Sequence, residues 1–244
     1  MQETAIIIPC FNEINRLDSD YLLSFFKKHR KYTIYLIDDG STDGTQNLLH
    51  KIKEQNPKQI EVVTFQRNSG KGEAVRRGMM EALKNKEFNY FAFLDADFST
   101  PFSEIIRLEE VLKAKNKFAV FGSRLKTLNA QIEHSLVRHY IGRFIATLIS
   151  KTINLPMYDT QCGAKIFDRN IVEYIFKDVF ISKWLFDVEI IMRLKNLWGD
   201  NILNHLLEEP ILKWKHVDGS KISISYGLKI PFELYKIKQK YKQK

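Results

Sequence analysis

Cysteine and histidine are scarce in this 244-residue chain, two and six residues respectively, and that scarcity excludes whole classes of chemistry. Cys10 and Cys162 cannot form a thiolate metal cluster or a disulfide framework, so a reduced, cytosolic setting fits best. The histidines show no ligand spacing. No window approaches the ~20 apolar residues needed to span a bilayer. The nearest, residues 136–155, is interrupted by Arg138, His139, Arg143 and Lys151. The amino terminus, Met1-Gln-Glu-Thr followed by Ala5-Ile-Ile-Ile, lacks the basic segment and long apolar stretch of a signal peptide. Acidic residues are the minority, 29 against 38 Lys and Arg, and the net charge of +9 favours an anionic partner. That partner could be a nucleic acid, a phosphorylated small molecule or an anionic membrane. The 44% hydrophobic content is enough to bury the core of one large domain, with or without a small appendage.

What is present is rhythm. Residues 5–8, 32–37, 61–65 and 91–94 read as buried strands, and residues 19–31, 45–55 and 72–84 between them as helices. This alternation predicts an α/β fold with a mostly parallel sheet covered by helices on both faces. Right-handed crossovers then gather the loops after each strand on one rim. After residue 100 the alternation loosens: a strand at 118–121, an amphipathic helix at 136–155, helices at 171–176 and 187–197, and a strand-like stretch at 210–217. On the amphipathic helix Val137, Ile141, Phe144, Ile145, Leu148 and Ile149 form one stripe. Residues 1–221 are expected to form the domain and 222–244 a basic amphipathic tail, in which six lysines from residue 228 onward alternate with apolar residues. Such a tail is either a solvated terminus or an anchor on an anionic leaflet.

The predicted rim collects polar chemistry. Asp95-Ala-Asp97 ends an apolar run, and side chains two apart on a strand share a face. Two hard oxygen ligands there suit a divalent cation that takes its other ligands from water and substrate phosphates; capping of the next helix is the plainer alternative. Asp38-Asp39-Gly40-Ser41-Thr42-Asp43-Gly44-Thr45 ends another strand. Ser41 and Asp43 can cap the helix after it, which leaves Asp39 for a base N–H or ribose hydroxyl. Asn68-Ser-Gly-Lys-Gly-Glu fails as a P-loop, because no glycine stands five before Gly70 and Glu73 replaces the Ser or Thr. Lys71 at a helix amino terminus is still an anion-friendly corner.

These motifs, together with Pro9-Cys-Phe-Asn-Glu, resemble in order and spacing the family 2 glycosyltransferases of the GT-A fold, a Rossmann-like arrangement. Gly122-Ser-Arg124, Asp159-Thr-Gln-Cys-Gly-Ala-Lys165, Trp184-Leu-Phe-Asp-Val-Glu189 and Gly219-Ser-Lys221 extend the resemblance to residue 221. They narrow it to the branch similar to dolichyl-phosphate glucosyltransferases and other polyprenyl-phosphate sugar transferases. Two departures are Phe11, where Tyr is common, and the lack of a following transmembrane helix.

The resemblance implies a loop of Pro9, Phe11 and Glu13 packed on the nucleotide, Asp39 on the base and Asp95 on the ribose side. Asp95 and Asp97 are the metal ligands, Mg2+ or Mn2+, and Lys71 and Gln161 join the nucleotide-sugar contacts. Arg124 and Arg138 match the acceptor-phosphate arginines, whose forked donors suit a phosphate. Asp159 orients the sugar or, for a hydroxyl acceptor, serves as base, and Lys165 shares its loop. Asp187 and Glu189, at a helix start, face the sugar or cap the helix.

The function so implied is an inverting, metal-dependent transfer of a hexose, with UDP-glucose the expected donor, to a polyprenyl phosphate. The enzyme would be cytoplasmic and peripheral on the inner membrane face. A lipid monophosphate is already an anionic nucleophile, whereas a hydroxyl needs a general base. The competing readings are a family 2 enzyme acting on a glycan hydroxyl and a nucleotide-sugar-binding module without catalysis. A nucleic-acid polymer is not expected, because no reader motif occurs.

Overall fold

The computed structural model describes residues 3–128, 130–132, 136–217 and 229–242, with the backbone alone for 136–141. A seven-stranded sheet runs through it in the order β3-β2-β1-β4-β7-β5-β8. These strands are β1 (Thr4–Cys10), β2 (Tyr32–Asp38), β3 (Ile60–Thr64), β4 (Tyr90–Phe93), β5 (Ala119–Ser123), β7 (Lys165–Asp168) and β8 (Leu206–Pro210). All neighbours pair in parallel except β7, which is antiparallel to both β4 and β5. A second, two-stranded sheet joins β6 (Gln131–Ile132) to β9 (Lys213–Trp214).

Pleating divides the core. Ala5, Ile7, Tyr35, Ile37, Phe91 and Phe93 face one layer, and Ile6, Ile8, Ile34, Leu36 and Ala92 face the other, the two-residue period of a strand. The second layer is covered by α1 (Ser19–Phe26), α2 (Thr45–Gln55) and α4 (Phe102–Ala114). The first is covered by α3 (Lys71–Leu83), α5 (Leu136–Ile153), α6 (Arg169–Phe176), α7 (Phe186–Trp198) and α9 (Ile230–Lys240). A single turn, α8 (Ile202–His205), leads into β8. Helices on both faces of a mostly parallel sheet are the expected class.

The structure corrects several details. Helix α4 occupies a stretch where no element was expected, and its buried Phe102, Ile105, Leu108 and Leu112 follow helical spacing. Lys165 opens a strand and is not a loop residue. The stretch 210–217 contributes to two different sheets. The apolar stripe of α5 is incomplete: Ile149 is buried and Ile145 and Leu148 are half-buried, but Phe144 is 67% exposed. Within the expected tail, α9 is docked, with Ile230, Leu234 and Ile237 buried in the first core layer. Beyond it the Tyr241 hydroxyl accepts from Arg193 Nε and donates to Glu189 Oε2. Residues 218–228, with Gly219 and Lys221, lie outside the described residues.

Since Ile237 has no exposed surface, truncation leaves a cavity inside the core. Ile237→Ala should lower stability by about 2–4 kcal/mol in urea unfolding, and an unchanged midpoint would make α9 an undocked tail.

Candidate active site

The carboxyl ends of β1, β2, β3, β4 and β5 share one rim. Because β7 runs the other way, its amino end reaches that rim too, carrying the loop from Asp159 to Ala164. In register, Lys165 lies beside Phe93 on one side and Phe121 on the other. Its Nζ sits 4.9 Å and 5.1 Å from their ring centroids, a favourable placement for a cation.

Backbone donors knit the first loops together. Asn12 N–H donates to Ser41 Oγ at 3.0 Å, and Thr42 N–H returns to Asn12 Oδ1 at 2.9 Å. Glu13 N–H donates to Thr45 Oγ1 at 2.8 Å, and Asp43 Oδ1 accepts from Thr45 N–H at 3.0 Å. Pro9, half-buried, is the last residue but one of β1, and Phe11 follows the end of the strand at Cys10. Gly40 is required here twice over: its φ is +75°, and a Cβ would stand 2.7 Å from the Arg67 backbone.

Asp39 is 2% exposed and accepts from Ser69 N–H at 2.9 Å and Gly70 N–H at 2.7 Å, one per oxygen. Burial pushes its carboxyl above the ordinary value against these bonds. It therefore fastens the loop after β2 to the loop before α3, whatever else it contacts.

Three ion pairs occupy the floor of the site. Lys71 Nζ is 2.6 Å from Asp95 Oδ1, Lys165 Nζ is 2.8 Å from Asp187 Oδ1, and Arg124 Nε is 2.6 Å from Asp159 Oδ2. The last pair is bidentate, with Nη2 to Oδ1 at 2.9 Å. Burial would raise the Asp159 carboxyl, but Arg124 outweighs it and holds the group at about 2. Asp159 is thus an anion that holds the Arg124 guanidinium by both oxygens. Asp95 is likewise held low, burial being outweighed by Lys71, Lys165 and Arg124. Asp187 is pushed up by burial despite Lys165 and Lys71. Cys162 is fully buried and its thiol is pushed up to about 11 by burial, so it is no nucleophile.

Asp95 and Asp97 lie in the turn after β4 and not on the strand, so they diverge. Asp95 turns to Lys71, and Asp97 Oδ2 accepts from Arg16 Nη2 at 3.0 Å. Both remain about a quarter exposed, at 28% and 20%. Among the described residues no group of three or more His, Cys, Asp or Glu could hold a metal ion. Two carboxylates plus phosphate oxygens is nevertheless an ordinary Mg2+ or Mn2+ set, so the residues fit that group. Gly163 packs closely on Asp95: a Cβ there would stand 2.2 Å from Asp95 Oδ2. Gln161 Nε2 is buried without a hydrogen-bond partner among the described residues, as suits a donor awaiting a ligand oxygen.

One expected residue is not brought here. Glu189 is fully buried, accepting from Ser182 N–H at 2.8 Å and from the Tyr241 hydroxyl at 3.2 Å. Residues two apart on a helix point about 200° apart, so Glu189 faces away from Asp187. Arg138 lies on α5, and its side chain is outside the described residues.

A match to Glycosyl transferase family 2 spans residues 5–176. The chain belongs to that family. Dolichyl-phosphate beta-glucosyltransferases from Dictyostelium discoideum and Saccharomyces cerevisiae are 31% and 32% identical, each alignment covering 97% of this chain and 74% of the relative. The human enzyme of that name is 28% identical over 91% of this chain and 70% of its own length. Glucosyl-3-phosphoglycerate synthase from Mycobacterium tuberculosis, solved with Mn2+, uridine diphosphate and phosphoglyceric acid, superposes with a TM-score of 0.70 at 14% identity. That match covers 97% of this chain and 78% of the other. The fold is GT-A, as the motifs led one to expect.

In this family 2 glycosyltransferase, sequence reasoning missed Arg16, Glu208 and Trp214. Glu208 accepts from Tyr158 N–H at 2.8 Å and Asp159 N–H at 2.6 Å, fixing the loop, and Trp214 lies 5.6 Å beneath the Arg124 guanidinium. Only Arg16 left a signal, as a lone cation three residues after Glu13.

The depressed Asp159 carboxyl contributes stability that is complete above its unfolded value of about 3.9 and is lost as pH falls through about 2. The destabilisation caused by Asp159→Asn in urea unfolding should therefore be full at pH 6 and shrink between pH 4 and pH 2. A difference independent of pH would contradict the Arg124 pairing.

Proposed function

We propose that this glycosyltransferase moves glucose from UDP-glucose to a polyprenyl phosphate of the dolichyl phosphate type, with inversion at the anomeric carbon. The observation that carries the reading is the Arg124–Asp159 pair. Asp159, the acid that the resemblance makes the base for a hydroxyl acceptor, is held at about 2, while a guanidinium 28% exposed stands beside it. Such a site suits an acceptor that arrives already anionic. The names of the relatives point the same way, and a beta product from an alpha-linked nucleotide sugar requires inversion.

Asp95 and Asp97 would hold Mg2+ or Mn2+, which when bound neutralises charge on the departing diphosphate. Pro9, Phe11 and Glu13 would line the nucleotide, with Asp39 beneath the base. Lys71 supplies a further positive charge to the diphosphate from the amino end of α3. Gln161 Nε2 donates to the sugar nucleotide, and Asp187, held by Lys165, borders the sugar. Arg124, joined by Arg138 from α5, orients the acceptor phosphate. A phosphate oxygen then attacks C1, the bond to the UDP oxygen breaks, and no proton need be removed.

Among the described residues no helix is long and apolar enough to cross a membrane. The outer face of α9 carries Lys236, Lys238 and Lys240 beside Phe232 and Tyr235, which are 60% and 59% exposed. Lys236 Nζ lies 4.4 Å from the Phe232 ring, and Phe144 stands exposed on α5, against which α9 packs. Aromatic rings flanked by lysines suit an anionic lipid surface, so we place the enzyme peripherally on the cytoplasmic face.

Transfer of labelled glucose from UDP-glucose should be seen with dolichyl phosphate and not with free sugars; the reverse would favour a glycan acceptor. Asp97→Ala should cut turnover by about 10²-fold or more in a folded protein. Arg124→Ala should raise the acceptor KM about tenfold more than the donor KM, and equal losses would remove Arg124 from the acceptor site. Vesicles containing phosphatidylserine should co-sediment the protein, less so at high salt or with Phe232→Ser and Tyr235→Ser combined. Equal capture by neutral vesicles would count against the lysine face.

A further inference from the structure

Both oxygens of Asp97 are engaged from within the chain. Oδ1 accepts from Ser99 N–H at 3.0 Å, and Oδ2 accepts from Arg16 Nη2 at 3.0 Å. Arg16 Nη1 stands 3.6 Å from Glu13 Oε2. Its Nε is buried with no hydrogen-bond partner among the described residues. The Arg16 and Asp97 side chains are 21% and 20% exposed, so the pair is accessible to a ligand yet only partly screened by water.

A guanidinium stays charged at any working pH. A divalent cation that binds the outer oxygen of Asp97 therefore meets a fixed positive charge within a few ångström, a repulsion that half-burial strengthens. A diphosphate changes the sign of this arrangement. It brings several negative charges and a set of acceptor oxygens, to which forked guanidinium donors are well matched, and it offers the unpartnered Nε something to bond. Arg16 can then turn from the carboxylate to the phosphate.

We infer that Arg16 is a positioning residue that makes the Asp95–Asp97 pair accept a divalent cation only together with a diphosphate. Without the nucleotide, Arg16 occupies Asp97 and repels the cation. With it, the guanidinium exchanges partner and frees the carboxylate, so cation and donor enter as one unit and departure of the nucleoside diphosphate loosens the cation. This inference rests on the donor site proposed above.

The test is Mn2+ binding by the full chain, followed through the electron paramagnetic resonance signal of the free ion, with and without UDP. Without UDP, Arg16→Met and Arg16→Gln should each bind Mn2+ about tenfold tighter than the wild type. The gain in Mn2+ affinity on adding UDP should shrink by a similar factor. Structural damage at the site would weaken binding, so tightening separates the two effects. Variants that bind Mn2+ no tighter than the wild type without UDP overturn the role of Arg16. A wild type that binds no Mn2+ even with UDP overturns the donor-site reading itself.

Discussion

The ion pair between Lys165 and Asp187 fixes most of the geometry around the site. Lys165 has no exposed surface, and its ammonium is bounded by Asp187, by the Cys162 carbonyl and by the faces of Phe93 and Phe121. A charge so far from water is tolerable only with a partner of opposite sign and well-directed acceptors. The pair consequently ties the start of the reversed strand β7 to the first turn of α7, and so joins two distant parts of the chain across the rim. The approach of Gly163 to Asp95 follows from that strand entering the sheet backwards.

Around this pair the charges alternate. Lys71 with Asp95, Lys165 with Asp187 and Arg124 with Asp159 make three cations and three carboxylates in mutual reach, close to neutral as a set. Each shifted carboxyl follows from the balance between burial and its nearest cation: Asp159 and Asp95 are held low, and Asp187 is pushed up where burial prevails. A neutral floor does not by itself attract a nucleoside diphosphate. It supplies oriented groups of both signs that can exchange partners without unpaired charge appearing in the interior.

The first half of the fold could be read directly because fully buried parallel strands appear as unbroken apolar runs and turns at the rim carry Gly, Asp and Asn. Strand β7 escaped notice because it is four residues long and begins with a lysine, a residue type rarely buried. Besides the Cys162 carbonyl, the two neighbouring phenylalanines and Asp187 explain its place, and these are far away in sequence. The spacing of Asp187 and Glu189 was already informative: two apart on a helix cannot mean one shared target. At Asp95 and Asp97 the same spacing does not put both side chains on one strand face, because the chain has left β4 before reaching them. Asp39, Lys71, Arg124, Asp159 and Gln161 could be singled out from local motifs because the loops that carry them lie next to strand ends or helix starts with distinctive turn residues. Arg16 belongs to no motif, and its meaning depends on a contact with a residue eighty-one positions later.

Gly163 lies so close to Asp95 that even a methyl group would collide with the carboxylate. Beside Asp95 the neighbouring surface is main chain, whereas beside Asp159 it is made by the side chains of Arg124 and Trp214. A main-chain wall keeps its shape whatever residues surround it, and offers no side chain to vary. The two sides therefore have unequal freedom to change: beside Asp95 a substitution has no side chain to alter and no room to add one, whereas around Arg124 the surface can be reshaped by changing side chains.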